Sequence, residues 1–130
     1  MPTDALIQLQ ASVTKVATFS GTALILAAGT PRRGLKARVI YSAATNASGS
    51  NSVAFSVDVS YDAGSTWNVD FVAPVITLST TAQAGEIFIP FEIIPTSIAN
   101  GCQIRLTATF AGAGSTPTIT YGAEITIARP

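Results

Sequence analysis

A chain of 130 residues has room for one domain, and a domain of that size buries roughly two thirds of the surface its unfolded form exposes, so a single core suffices. Hydrophobic residues make up 48% and charged residues 11% of the chain, far below the quarter or so usual for soluble domains. Ser, Thr, Asn, Gln and Gly must therefore cover its exterior, which suits a component packed against neighbours. Seven basic residues balance seven acidic ones, so no net field gathers nucleic acid or an anionic membrane from solution.

The opening Met1-Pro2-Thr3-Asp4 has no basic n-region, and the longest apolar run, Ala23 to Ala28, is too short to cross a bilayer. Neither an export signal nor a membrane anchor is expected. Residues 1–12 are the one ambiguous stretch, a candidate N-terminal arm that orders only against a partner. Strand candidates begin with Ser12 to Phe19 and Ala23 to Ala28. After the Gly29-Thr30-Pro31 breaker, Leu35, Ala37, Val39 and Tyr41 alternate with Lys36 and Arg38.

The cleanest two-residue period is Val53, Phe55, Val57, Val59 and Tyr61 against Ala54, Ser56, Asp58 and Ser60, read as one apolar face and one wet face. Trp67 to Val72 and Val75 to Ser79 follow. In Ile87, Ile89, Phe91 and Ile93 the period runs through Pro90, which removes a ladder donor and predicts an edge strand or a bulge. Ser97 to Gly101 would fit one helical turn. Two last alternating segments close the series, Ile104 to Phe110 and Ile119 to Ile127.

About eight or nine short strands, with turn signals every 8 to 12 residues or so, describe an all-β, antiparallel sandwich or barrel, with residues 1–130 as a single domain. Two sheets packed face to face bury both apolar faces at once. The lone cysteine, Cys102, excludes an internal disulfide and reads as a small apolar residue in a strand. Asn46-Ala47-Ser48 matches the glycosylation sequon but reads as plain loop.

The sharpest local motif is Ser60-Tyr61-Asp62-Ala63-Gly64-Ser65-Thr66-Trp67, which fits the Asp-box pattern Ser-x-Asp-x-Gly-x-Thr-Trp familiar from sialidases. Its physics is that of a hairpin tip. Asp62 accepts from nearby amides, Gly64 supplies a positive φ, Trp67 caps the corner, and Ser60 and Thr66 complete the box. A turn motif specifies a turn, and one copy in a chain this short is not a sialidase.

Catalytic resources are thin: there is no histidine, and the carboxylates are scattered, whereas acid–base work needs two titratable groups at a defined separation. Asp58 and Asp62 share a strand face near a tip and read as solvated charges; a calcium site with Asp70 would need oxygen ligands converging from two strands. The chain reads as no enzyme, with no cofactor and no metal. Arg32, Arg33, Lys36 and Arg38 form the one charge cluster, read as a solvated loop and edge strand or as a docking patch for an acidic surface.

Leu6-Ile7-Gln8-Leu9-Gln10-Ala11-Ser12, the Ser56-to-Asp62 strand with its Trp67 hairpin, and the closing Gly122-Ala123-Glu124-Ile125-Thr126-Ile127 together resemble the jelly-roll cement, or decoration, proteins of tailed bacteriophages, of the Bordetella-phage-like podovirus type. The resemblance implies a jelly-roll homotrimer, made in the host cytoplasm, that sits on the outer surface of the virion capsid. There it binds the major capsid protein and stabilises the coat lattice. No residue roles carry over; on this sequence alone the expected coat contacts are Pro2, Thr3, Asp4, Ala5 and Leu6, with Arg32 and Arg33 at the basic turn. The competing readings are a carbohydrate-binding or adhesion module, with Trp67 as the displayed aromatic, and a fibre or spike domain.

Overall fold

The structure, a computed structural model, describes residues 7–26, 35–92 and 102–127. Among them the chain forms ten strands: β1 (Ile7–Lys15), β2 (Phe19–Ser20), β3 (Leu24–Leu26), β4 (Leu35–Thr45), β5 (Asn51–Ser60), β6 (Asn68–Val72), β7 (Ile76–Leu78), β8 (Gln83–Phe91), β9 (Cys102–Gly112) and β10 (Thr118–Ile127). The helical turn expected at 97–101 lies outside the described residues.

Two antiparallel sheets pack against each other. The first has the order β1-β10-β4-β8, and the second β2-β9-β5-β6, with β3 extending the β2 edge along β9 and β7 extending the β6 edge along β5. Each sheet thus has four strand positions, and from β1 to β2, β3 to β4, β4 to β5, β7 to β8, β8 to β9 and β9 to β10 the chain crosses from one sheet to the other. That alternation is the jelly-roll form of the β-sandwich.

The core follows from the two-residue period. Leu35, Ala37 and Val39 of β4 and Ile119, Tyr121, Ala123 and Ile125 of β10 face Val53, Phe55, Val57 and Val59 of β5 and Cys102, Ile104, Leu106 and Ala108 of β9; all are buried. Phe55 and Tyr121 meet edge to face across the layer, with centroids 5.0 Å apart, and Phe71 meets Phe91 in the same way at 6.2 Å.

β8 lies at the edge of the first sheet with Pro90 opposite Lys36, where a missing N–H is tolerated. Two expectations need correction. Residues 7–12 are not an arm: they belong to β1, which pairs with β10 through two register shifts. β4 is not an edge strand either, since it is flanked by β10 and β8.

Candidate functional site

The Asp-box segment closes as a tight tip between β5 and β6. Asp62 Oδ1 accepts the Ser60 hydroxyl at 2.8 Å and the Thr66 amide at 2.8 Å, while Ser60 Oγ accepts the Gly64 amide at 2.9 Å. The Thr66 amide foremost, then the Thr66 and Ser60 hydroxyls, hold the Asp62 carboxyl below the usual carboxylate range. Ala63 and Gly64 both have positive φ, 60° and 90°, and a Cβ on Gly64 would press on the Gln103 amide at 3.2 Å. All of this is construction; none of it presents a reactive group.

Trp67 is not displayed to solvent as expected. Its ring lies over the Arg105 guanidinium, 4.2 Å from centroid to Cζ, so the tip folds back over the outer face of the second sheet. Beneath it Arg105 Nε donates to Asp58 Oδ2 at 3.1 Å, Thr107 Oγ1 donates to the same oxygen at 2.6 Å, and Ser56 Oγ donates to Asp58 Oδ1 at 3.0 Å. Asp58 is 1% exposed, and Ser56 and Ser60 are buried beside it.

The expected wet face of β5 is therefore a covered polar cluster, and Asp58 is not a solvated charge. A buried carboxylate is tolerable because its lone pairs are filled and a cation stands against it. The clue in the sequence was that Asp58 and Arg105 occupy polar positions of two strands that pair directly. No group of three or more His, Cys, Asp or Glu side chains able to share a metal ion occurs among the described residues.

The outer face of the first sheet is built differently. Lys36, Arg38 and Ile40 alternate outward on β4, Glu86, Phe88 and Pro90 on β8, and Thr120, Gly122 and Glu124 on β10. Arg38 is clamped by two carboxylates, Glu86 at 2.7 Å and Glu124 at 3.0 Å, which hold its guanidinium pKa above the ordinary value. Lys36 Nζ lies 5.5 Å from the Phe88 ring centroid.

Two basic and two acidic side chains thus cancel around an apolar strip in which Phe88 is 49% and Ile40 48% exposed. Beside it, Gly122 floors a shallow groove of about 400 Å³ lined by Gln8, Gln10, Ser12, Ser42 and Thr120. The displayed aromatic is therefore Phe88 and not Trp67; the signal was a phenylalanine at a wet position of β8, between Glu86 and Pro90.

Of the basic cluster, Arg38 is committed to its two carboxylates, and Arg32 and Arg33 lie outside the described residues, as do Pro2, Thr3, Asp4, Ala5 and Leu6. Cys102 is buried at 1% exposure, and that burial pushes its thiol pKa up, away from reactivity. Asn46 is 3% exposed and spends its amide on the Gly49 carbonyl at 3.0 Å and Asn51 Oδ1 at 2.9 Å, which accounts for the sequon as loop structure. No protein-family model matches the chain, and no curated protein matches it.

Proposed function

We propose that this protein is a structural virion component that binds the outside of a phage capsid as a homotrimer, contacts the major capsid protein, and stabilises the coat lattice. The observation that carries the reading is the charge-balanced outer face of the first sheet. Burying isolated ions against a partner is costly, but here Arg38, Glu86 and Glu124 already satisfy one another, and Phe88, Ile40 and Pro90 supply apolar area.

Four strands of about nine residues span roughly 600 Å², close to the ~800 Å² that each partner contributes to a standard interface. A contact of that size need not be tight. Many copies on one lattice act together, and binding only the assembled shell stabilises it by mass action. Pro2 to Leu6 and the turn at Arg32 and Arg33 stay as proposed coat contacts on sequence grounds, and the outer capsid surface as the proposed location.

Co-sedimentation with assembled coat shells tests the reading. Phe88→Glu should weaken binding about tenfold or more, since buried aromatics dominate interface energetics, with far-UV circular dichroism and melting unchanged. Absence of co-sedimentation, or full-strength binding by Phe88→Glu, refutes it. One second reading draws on the groove over Gly122, whose amide and hydroxyl lining beside Ile40 is the chemistry of carbohydrate binding. A glycan array signal that disappears in Gly122→Leu, with coat binding absent, would favour that reading instead.

A further inference from the structure

We infer that the ionisation of Glu86 and Glu124 gates the outer face of the first sheet: the face docks while both carboxylates are charged and is released when they take up protons. The inference rests on the coat-binding reading above and names the condition under which that contact holds.

Three adjacent strands build the gate. The registers place Arg38 opposite Phe88 on one side and opposite Glu124 on the other, and Glu86 reaches Arg38 from the next outward position of β8. Glu86 Oε2 accepts from Arg38 Nε at 2.7 Å and lies 2.7 Å from Nη2, while Glu124 Oε1 accepts from Nη1 at 3.0 Å. All three guanidinium nitrogens are thus engaged by two carboxylates arriving from opposite sides. Charge-assisted bonds of this kind need ionised acceptors. The Glu86 and Glu124 side chains are 40% and 27% exposed, so both can exchange protons with solvent before the face is covered.

Few other charges bear on the clamp. The remaining ones on the strands of this sheet are Lys36 of β4, with Nζ 5.5 Å from the Phe88 ring centroid, and Lys15 at the end of β1, with Nζ 3.7 Å from that of Phe19. Glu92 follows β8 at an exposed position. The polar neighbours along the groove, Gln8, Gln10, Ser12, Ser42 and Thr120, carry no charge.

With both glutamates ionised, the clamp and Lys36 sum to zero, and docking strands no ion beside Phe88. Once both are protonated, Arg38 and Lys36 stand uncompensated against the partner, and an unpaired charge is costly to bury. A glutamate ordinarily takes up its proton near about pH 4.3. Binding is therefore present above that region and lost as the pH falls through it.

Co-sedimentation with coat shells, from pH 7 down to about pH 3.5, tests this with wild type and three variants. Glu86→Gln/Glu124→Gln copies the protonated state and at pH 7 should bind about tenfold or more weakly than wild type. Wild type should weaken by a similar factor in acid. Arg38→Met strands two carboxylates, so it should be weak at pH 7 and bind more tightly as the pH falls, the opposite trend. The triple variant Arg38→Met/Glu86→Gln/Glu124→Gln has nothing left in the clamp to titrate; at pH 7 it should bind better than Glu86→Gln/Glu124→Gln, and its response to acid reports the coat alone. Circular dichroism marks the pH range in which each protein is folded, and the comparison at pH 7 carries the test if that range ends early.

Full-strength binding by Glu86→Gln/Glu124→Gln at pH 7 overturns the gate and leaves the coat contact standing. So does a triple variant released in acid just as wild type is, because the sensitive group then belongs to the coat. Arg38→Met that weakens in parallel with wild type also overturns it. A wild type that does not sediment with shells at pH 7 overturns instead the coat-binding reading on which the gate depends.

Discussion

Removing either partner of the Asp58–Arg105 pair should be costly, and unequally so. Asp58→Ala leaves the Ser56 and Thr107 hydroxyls without their acceptor and Arg105 without its counter-ion, but the Arg105 side chain is 26% exposed and can hydrate. A cost of about 3 kcal/mol follows, at the low end of the range for breaking a buried pair. Arg105→Ala strands a carboxylate whose side chain is 2% exposed and strips Trp67 of the cation beneath its ring, so about 4 to 5 kcal/mol is expected.

Asp58→Asn keeps an acceptor for Arg105 and Thr107 and turns its amide toward Ser56, whose hydroxyl accepts as well as donates. The expected loss is about 1 kcal/mol. Urea unfolding followed by tryptophan fluorescence and by circular dichroism reads these values directly, and at this chain length Asp58→Ala should melt roughly 10 °C lower. The double variant should lose less than the sum of the singles. An Asp58→Ala cost below about 1 kcal/mol, or an Arg105→Ala cost smaller than that of Asp58→Ala, would refute the reasoning that a covered ion pair holds the tip onto the sheet.

Two further substitutions probe the backbone and the core. Gly64→Val, at a φ of +90°, should cost about 1 to 3 kcal/mol in the same unfolding assay; an unchanged midpoint would mean that the tip does not require that conformation. The Tyr121 hydroxyl is buried with no hydrogen-bond partner among the described residues, and burial pushes its pKa up to about 12. A pKa higher in the folded than in the unfolded state means stability that is intact below about pH 10 and lost as pH rises toward 12. Tyr121→Phe should be neutral or slightly stabilising at pH 7 and should flatten the alkaline decline, as thermal melts between pH 8 and pH 11.5 will show.

The core was legible because a half-buried strand forces apolar residues onto every second position: Val53 to Val59, Ile104 to Ala108 and Ile119 to Ile125 carry that rhythm and line the interior. Pro90 likewise marked an edge through chemistry that belongs to one residue. What periodicity cannot convey is whether something lies over the polar side of a strand. Ser56, Asp58 and Ser60 look wet in sequence, yet all three are buried; Asp58 is bonded to Ser56, Arg105 and Thr107, and Trp67, nine positions beyond Asp58, turns back onto Arg105 of another strand.

The start of β1 carries the same beat, Ile7, Leu9, Ala11 and Val13 against Gln8, Gln10, Ser12 and Thr14; what the sequence does not convey is that this segment finds a ladder partner in β10, through register shifts between Gln8 and Gln10 and between Gln10 and Val13. The strip on the first sheet was half visible. Phe88 and Ile40 sit at outward positions of their strands, but reading them as neighbours needs the β4–β8 register, which pairs Arg38 with Phe88 and Ile40 with Glu86.

The position of β10 has a consequence for how the molecule is made. It lies between β1 and β4, so a nascent chain emerging from the ribosome holds two segments of the first sheet that cannot meet until residues 118–127 are out of the exit tunnel. Sequence-distant pairing of this kind makes folding slow and mostly post-translational. Stalling synthesis before Thr118 should leave a chain that is protease-sensitive and prone to clump, and a separate peptide carrying 118–127 is the natural reagent for rescuing it.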